Sequence, residues 1–220
     1  MSHYAIVVDL DRCIGCHGCE IACKNENEVE LGSFWNKVVQ VGPFGDYPHL
    51  HQYFLPVMCQ QCDDSPCTHV CPTGASYRDE NNVVLVDKEK CIGCKYCMMA
   101  CPYGVRSWSP SEHVVEKCTL CGQLTSVGEE PKCVAACCAS ARFYGDLDDP
   151  NSDASKALAA AGADSVHRLK DVGNGPQTAY ILSAKYAEWK EEVKQWTSSG
   201  LSCSSPPSRA WADGCSSSSA

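Results

Sequence analysis

The sequence predicts an α+β fold built from an internal repeat. Sixteen of the 19 cysteines fall into four groups of four with related spacing. Short apolar segments of strand length precede or follow these groups, and helix-compatible segments follow them. Turn residues such as Asn81 and Asn82 separate the strand signals in the middle of the chain. Together these features indicate short strands and short helices arranged around cysteine-rich loops.

The four cysteine groups share one spacing rule. The first and third read C-x2-C-x2-C-x3-C, and the second and fourth are the same run with insertions. In such a run three cysteines bind one 4Fe-4S cluster, and the fourth binds the other cluster of a pair. Four groups therefore predict four 4Fe-4S clusters, and hence electron transfer. In chain order the groups are Cys13/Cys16/Cys19/Cys23, Cys59/Cys62/Cys67/Cys71, Cys91/Cys94/Cys97/Cys101 and Cys118/Cys121/Cys133/Cys137.

Two other uses of cysteine compete with this interpretation. A disulfide framework is typical of short secreted chains, but no signal peptide is recognisable, and cysteines at x2 spacing bridge poorly. Zinc also binds C-x2-C pairs, but zinc sites use separated pairs rather than a triad with a distant fourth cysteine. The spacing favours iron–sulfur clusters.

The groups are nested along the chain. An inner unit holds groups two and three and alternates strands, cluster loops and helices. Its expected order is a strand at 53–57, a helix at 67–71, a hairpin at 75–86, a helix at 96–101 and a closing strand at 105–108. Strand 5–8 with group one, and group four with strand 141–144, form a split copy around it. Two ferredoxin-like modules, one inserted in the other, are therefore predicted, with a C-terminal helical extension.

The cross-ligation rule assigns each cysteine to a set. The outer module is expected to hold set 1, Cys13, Cys16, Cys19 and Cys137, and set 2, Cys23, Cys118, Cys121 and Cys133. The inner module is expected to hold set 3, Cys59, Cys62, Cys67 and Cys101, and set 4, Cys71, Cys91, Cys94 and Cys97.

The predicted domain boundaries follow from this nesting. Residues 1–52 are the first half of the outer module with a connecting loop, 53–110 the inserted module, and 111–147 the second half. Residues 148–196 form a C-terminal extension with helices, and 197–220 a Ser-rich tail.

A turn and N-cap at 148–152 should open a helix that runs to Gly162. A second helix, capped by Ser183, should carry an aromatic stripe that docks on the chain's own modules or on a partner; the stripe comprises Tyr186, Trp189, Val193 and Trp196. Cys203 and Cys215 in the tail lack ligand spacing.

Charge and hydropathy limit the function classes. The formal net charge is -9 and no basic block is present, which argues against nucleic acid as a partner. No apolar run is long enough to cross a bilayer, and the N-terminus carries no twin-arginine or Sec signal. Cytoplasmic assembly is therefore expected, followed by a cytoplasmic, membrane-associated or co-exported periplasmic location.

Local charges predict a ranking of cluster potentials. Cations precede the first cysteine in three groups: Arg12, Lys90 and Lys117. The second group instead has Asp63 and Asp64 between its ligands, which oppose the added negative charge of a reduced cluster. Set 3 is thus expected to have the lowest potential, unless the two carboxylates face water or cap the helix near Ser65.

Five motifs surround the cysteine groups: VDLDRCIGC at 8–16, CDDSPC at 62–67, VCPTGA at 70–75, CIGCKYC at 91–97 and ACPYGV at 100–105. In these motifs the chain resembles the iron–sulfur subunits of the dimethyl sulfoxide reductase family of molybdopterin oxidoreductases. The stretch GDLDDPNS at 145–152 is similar to the polysulfide, tetrathionate and arsenate reductase branch. The resemblance covers residues 4–182.

The resemblance implies a non-catalytic electron-transfer subunit, as in anaerobic respiration. It would pair with a molybdopterin or tungstopterin catalytic subunit, with set 1 nearest the pterin, and relay electrons to or from a quinol-handling membrane subunit or a soluble redox partner. Relatives of the nitrate reductase type replace one ligand by Trp, whereas Cys62 and every other ligand position are filled here. One departure is Cys138, where the family expects Pro; the x3 interval favours Cys137 as the ligand, with Cys138 as the alternative.

Other function classes share these features. They are an electron-transfer subunit of a formate dehydrogenase or hydrogenase complex, a free polyferredoxin-type carrier, and the iron–sulfur subunit of a non-redox pterin transhydroxylase. The sequence leaves open the partner's substrate, the direction of electron flow, and molybdenum against tungsten.

Overall fold

The computed structural model describes residues 2–183 and 188–191. Its main sheet has four strands, and strand β1 (Tyr4–Asp9) is one of the two inner ones. The sheet order is β8 (Arg142–Asp146), β1, β10 (Ala179–Ile181) and β9 (Val166–His167). β1 runs antiparallel to β8 and parallel to β10. Its apolar run from Ala5 to Val8 is fully buried, as expected for a strand covered on both faces. The strands predicted at 5–8 and 141–144 are thus neighbours in one sheet.

The remaining strands form three two-stranded sheets. They are β2 (Asn36–Phe44) with β3 (His51–Met58), β4 (Ser76–Arg78) with β5 (Val84–Val86), and β6 (Ser107–Ser109) with β7 (Val114–Glu116). The predicted hairpin is β4–β5, and Asp79 Oδ1 accepts from the backbone of Asn81 and Val83 in its turn. β2, β7, β9 and β10 were not predicted. The β6–β7 hairpin crosses residue 110, where the inserted module was expected to end.

The helices are short. They are α1 (Gly18–Glu26), α2 (Pro66–His69), α3 (Tyr96–Met99), α4 (Gly122–Thr125), α5 (Lys132–Ala135) and α6 (Asp153–Ala161), with a 3-10 turn at Ala163–Ser165. The predictions of helices through 71 and 101 were wrong at their C-terminal ends, because α2 and α3 end two residues before Cys71 and Cys101. A proline follows each of these cysteines, and a proline disfavours helical geometry in the residue before it. The fourth cysteine of groups two and three therefore follows its helix, whereas Cys23 of group one lies within α1.

Helix α6 begins where the sequence predicts it. Ser152 Oγ accepts a hydrogen bond from the Ser155 amide at 3.1 Å, and Gly162 follows the last helical residue. A Cβ atom at Gly145 would lie 2.7 Å from Cβ of Ser152, so the glycine lets the N-terminus of the helix approach β8 closely. Gly145 and Ser152, the first and last residues of the GDLDDPNS stretch, thus form the close contact between β8 and α6.

The C-terminal residues in the described part pack on the core. Trp189 stacks against His167 with ring centroids 5.0 Å apart, and lies 5.5 Å from Tyr180 and 6.3 Å from Tyr53. This residue of the predicted aromatic stripe therefore docks on the chain itself. The other three, the tail, Cys203 and Cys215 lie outside the described residues. The predicted second helix is described only at Ser183 and residues 188–191, and these residues are not helical.

No helix within residues 2–183 and 188–191 combines the length and the apolarity that a membrane crossing requires.

Candidate metal centres

Each cysteine group contains a loop residue with left-handed backbone. It is the second residue after the first cysteine, and the four are Gly15 (φ 66), Gln61 (φ 46), Gly93 (φ 68) and Leu120 (φ 57). Glycine adopts this conformation without strain, whereas other residues adopt it only when their surroundings hold them. Gln61 is held, because it is 2 % exposed and its Oε1 accepts the Val84 amide at 2.9 Å. The shared geometry shows that the two interrupted groups build the same loop as the two regular ones.

The loops bring the cysteines together in fours. The cysteines of set 1 line one pocket, those of set 3 line another, and those of set 4 line a third. The members of set 2 also meet: Asn27 Nδ2 lies 3.7 Å from Cys23 Sγ and 3.8 Å from Cys121 Sγ. Burial raises the pKa of Cys23 to about 12, and the neighbouring thiolates of Cys133 and Cys121 add to the effect. Each predicted set therefore occupies one place in the fold.

The arrangement of the cysteines bears on which metal group they can bind. A tetrahedral zinc ion needs its sulfur ligands about 2.3 Å from a single point. Among residues 2–183 and 188–191, no three or more His, Cys, Asp or Glu side chains are placed to hold one metal ion. In sets 1, 3 and 4 the four cysteines instead line a shared pocket, which suits a cluster whose four thiolates bind four different irons.

Hydrogen-bond donors point at the sulfur atoms. Ser76 N lies 3.3 Å from Cys71 Sγ, and Ala141 N lies 3.3 Å from Cys137 Sγ. Side chains add two shorter contacts, since Asn174 Nδ2 lies 2.9 Å from Cys62 Sγ and the Arg106 guanidinium 2.8 Å from Cys67 Sγ. Such bonds stabilise thiolates, the protonation state that metal ligation requires.

Two buried arginines beside the cysteine sets indicate whether an anionic cofactor fits there. Arg106 is 5 % exposed and Arg142 is 4 % exposed, and neither pairs with a carboxylate in the described part of the chain. Arg106 Nη1 and Arg142 Nε are buried without a hydrogen-bond partner there. A buried cation without a counter-charge is strongly destabilising. A 4Fe-4S cluster with four thiolates carries a charge of about 2−, so these residues fit that group.

The surrounding thiolates act on the arginine charge. Burial lowers the pKa of Arg106, but the thiolates of Cys67, Cys59 and Cys97 outweigh it and raise the pKa above its ordinary value. Burial likewise opposes the charge of Arg142, and the thiolates of Cys133, Cys19 and Cys118 raise its pKa. Both side chains are therefore permanent cations among the cysteine sets.

The sets follow one another in the order 1, 2, 3, 4. Arg142 lines the pocket of set 1, and the thiolates of Cys133 and Cys118 in set 2 raise its pKa. Arg106 lines the pocket of set 3 and donates to Ser76 Oγ in the lining of the set 4 pocket. Sets 2 and 3 adjoin, since burial and then the thiolates of Cys23, Cys133 and Cys59 raise the pKa of Cys118. All eight cysteines of sets 2 and 3 are buried, whereas Cys16 of set 1 and Cys94 of set 4 are exposed. The row of sites is sealed in the middle and opens at both ends.

Cys138 lies beside set 1 but does not line its cavity. Its thiol is exposed, and its Sγ is 3.7 Å from Cys16 Sγ. Cys137, by contrast, lines the cavity together with Cys13, Cys16 and Cys19. The geometry thus supports Cys137 as the fourth member of the set.

The charged residues from which the sequence analysis ranked the cluster potentials have specific partners in the structure. Asp63 is about half exposed and lies 3.9 Å from Arg78 and 3.6 Å from His3, while Asp64 contacts His69 at 2.5 Å. Neither caps α2, whose N-cap is Ser65 without a side-chain cap bond. Lys117 is buried and donates to the backbone carbonyls of Val84 and Cys118.

Sequence reasoning missed Arg106, Arg142 and Asn174. A signal for the two arginines was present, because each follows the fourth cysteine of its group by five residues. No local pattern marks Asn174, which lies 112 positions from Cys62.

Four cysteine sets in a row, buried in the middle and accompanied by hydrogen-bond donors and two buried cations, define an iron–sulfur electron-transfer protein. A family model described as a 4Fe-4S dicluster domain matches residues 50–147.

Curated relatives extend the match to most of the chain. A sulfite dehydrogenase subunit of Allochromatium vinosum is 40% identical over 207 residues, which is 84% of this chain and 85% of the relative. The thiosulfate reductase electron transfer subunit PhsB of Salmonella typhi is 38% identical, over 86% of this chain and 97% of the relative. The arsenate respiratory reductase iron-sulfur subunit ArrB of Shewanella sp. ANA-3 is 34% identical, over 81% of this chain and 95% of the relative.

The chain belongs to the iron–sulfur subunit family of the molybdopterin oxidoreductases. It is an electron-transfer subunit, and its cofactors are four 4Fe-4S clusters. The resemblance predicted from the sequence motifs is confirmed.

Proposed function

We propose that the four sets are the ligands of the four clusters, one set to a cluster, with Cys137 rather than Cys138 in set 1. The cavities and sulfur-directed donors described above support this assignment. When bound, each cluster supplies one-electron transfer. The protein's own part is to hold the irons by thiolates, exclude water from sets 2 and 3, and stabilise negative charge.

The chain forms two ferredoxin-like modules in this proposal, one inserted in the other. Residues 1–52 and 111–147 make the outer module, 53–110 the inner one, 148–196 the extension and 197–220 the tail. The pairing of β1 with β8 supports this arrangement, because it joins segments that flank the inner one in sequence. Sets 1 and 2 draw cysteines from both flanks, and sets 3 and 4 draw them only from residues between 53 and 110.

The subunit connects two redox partners. The observation that carries this proposal is the exposure of the end sets combined with the burial of the middle ones. Among the described residues, a redox partner can therefore approach the cysteine sets most closely at sets 1 and 4. Set 1 faces a molybdopterin or tungstopterin catalytic subunit, and set 4 faces a quinol-handling membrane subunit or a soluble partner.

Exposed apolar side chains at both ends support two docking faces. Ile14 and Ile92 occupy the same position in the loops of sets 1 and 4 and are 62% and 66% exposed. Met99 and Tyr96 on α3 add 82% and 58% exposure beside set 4. Exposed apolar clusters of this kind are typical of protein interfaces.

The subunit assembles in the cytoplasm, since cluster ligation needs reduced thiols. If it works outside, it travels folded with a partner that carries a twin-arginine signal.

Matched variants at the two ends test the proposal. The full chain would be co-expressed with its catalytic subunit, and the complex analysed for iron, sulfide, molybdenum and tungsten. Ile14→Asp should release the pterin-containing subunit, whereas Ile92→Asp should keep it and block electron exchange with the other partner. A stable monomer that never retains a pterin subunit, or equal effects of the two variants, would contradict the proposal.

A further inference from the structure

Two arginines occupy equivalent places in the internal repeat. Arg106 follows Cys101 by five residues, and Arg142 follows Cys137 by five residues. Both side chains are buried, and each keeps one nitrogen without a partner among the described residues. The repeat has thus placed one buried cation in each proposed module.

Arg106 lies between sets 3 and 4. Its Nη2 donates to Cys67 Sγ at 2.8 Å and to Ser76 Oγ at 2.8 Å. Arg106 also lines the pocket of set 3. Its partner Ser76 lines the pocket of set 4, and the Ser76 amide lies 3.3 Å from Cys71 Sγ. One guanidinium therefore serves two neighbouring cysteine sets.

Arg142 holds the corresponding place between sets 1 and 2. Its Nη2 lies 2.9 Å from Met58 Sδ, and its Nη1 lies 3.4 Å from Asn36 Oδ1. Arg142 lines the pocket of set 1 together with Cys19, and the thiolates of Cys133 and Cys118 in set 2 raise its pKa. Neutral groups orient this side chain, so its charge remains available to the two sets.

A fixed cation in a buried place favours the more negative of two states. One electron from a donor takes a cluster with its four thiolates from about 2− to about 3−, and no proton is needed for balance. No carboxylate in the described part of the chain pairs with either arginine, so the attraction is not cancelled by a neighbouring ion pair.

We propose that Arg106 raises the reduction potentials of the clusters on sets 3 and 4, and that Arg142 raises those on sets 1 and 2. The inference rests on the proposed ligand sets. It divides control of the potentials by module, with one arginine for each pair of clusters.

Charge-neutral variants test this division. Arg106→Met, Arg142→Met and the corresponding lysine variants would be made in the full chain, and each cluster titrated with dithionite and followed by EPR. Cys97→Ser and Cys13→Ser assign signals to the inner and outer pairs. Arg106→Met should weaken one-electron uptake at least tenfold, a downward shift of 59 mV or more, at sets 3 and 4 only. Arg142→Met should do so at sets 1 and 2 only, and the lysine variants should retain most of the wild-type potential.

The outcomes separate this inference from the ligand assignment. Fewer than four clusters in the wild-type chain would contradict the proposed function itself. Four clusters with unchanged potentials in both methionine variants, or equal shifts at all four clusters, would overturn the role of the arginines. If a methionine variant loses the clusters of its own module while the lysine variant keeps them, a cation is required there, which supports the inference. If the methionine and the lysine variant both lose the clusters of that module, the shape of the arginine side chain rather than its charge is required, which overturns the inference.

Discussion

The side-chain amide of Asn174 donates a hydrogen bond to the sulfur of Cys62 over 2.9 Å. Asn174 is 1% exposed, and its loop is held by Asp171 Oδ1, which accepts three successive backbone amides, those of Gly173, Asn174 and Gly175. The same loop pairs with the cluster loop through the backbone of Asp63 and Asp64. A segment of the C-terminal extension therefore closes set 3 against water and supplies one of its donors.

Removal of that donor should change the cluster on set 3. Asn174→Ala is expected to lower its reduction potential, because the thiolate of Cys62 loses a hydrogen bond that favours added negative charge. EPR-monitored titration would measure the shift, with the exposed Asn151→Ala as the control. An unchanged potential in an Asn174→Ala protein with all clusters present would contradict this prediction.

Gly93 should not tolerate a side chain. Its φ is +68°, and an added Cβ would lie 2.8 Å from the carbonyl oxygen of His113 and 2.9 Å from the ring of Trp108. Gly93→Ala is expected to destabilise the protein by roughly 1–3 kcal/mol or more and to impair the cluster on set 4. Gly122→Ala is the control, since its Cβ would meet nothing within 4 Å. Thermal unfolding and iron content measure both effects, and equal behaviour of the two variants would refute the argument.

The two adjacent cysteines should differ in function. Cys137→Ser is expected to damage the cluster on set 1, because Cys137 lines that cavity. Cys138→Ser should retain all four clusters, because its thiol is exposed and outside the cavity lining. Iron and acid-labile sulfide, about sixteen of each per chain when fully loaded, decide the matter. Cluster loss in the Cys138 variant alone would reverse the assignment.

The cap of α6 should contribute to stability. Ser152→Ala removes the acceptor for the Ser155 amide and is expected to destabilise the protein by about 1 kcal/mol. Ser126→Ala is a suitable control, because that exposed hydroxyl makes only a 3.4 Å contact with the Gln123 carbonyl. Chemical denaturation would compare the two, and a cap variant as stable as the control would argue against this role.

Removal of the clusters should unfold the protein. Burial raises the pKa of Cys62 and of Cys23 to about 12, so the metal-free chain holds neutral thiols at neutral pH. Arg106 and Arg142 would then be buried cations without counter-charge, which is strongly destabilising. Circular dichroism during iron chelation should show loss of structure in step with loss of cluster absorption. Retention of native amide-exchange protection after complete chelation would disprove this coupling.

The sequence by itself predicted the number and kind of the cofactors and the α+β class, because cluster loops are encoded by local spacing. The left-handed positions at Gly15 and Gly93 fall within that spacing, and glycine is the residue that adopts them without strain. The helix at 153–161 was predictable for the same reason, since Ser152 and Gly162 mark its ends locally.

Tertiary structure decided which charges and donors lie beside the sulfur atoms. From the sequence, Asp63 and Asp64 marked set 3 as the site of lowest potential, but both have cationic or histidine partners at the surface. The structure places Arg106 and Asn174 against the same set, from 39 and 112 positions away along the chain. We therefore no longer expect set 3 to be lowest. A charge acts according to its distance and burial, and both are fixed only when strands such as β1 and β10 pair distant segments of the chain.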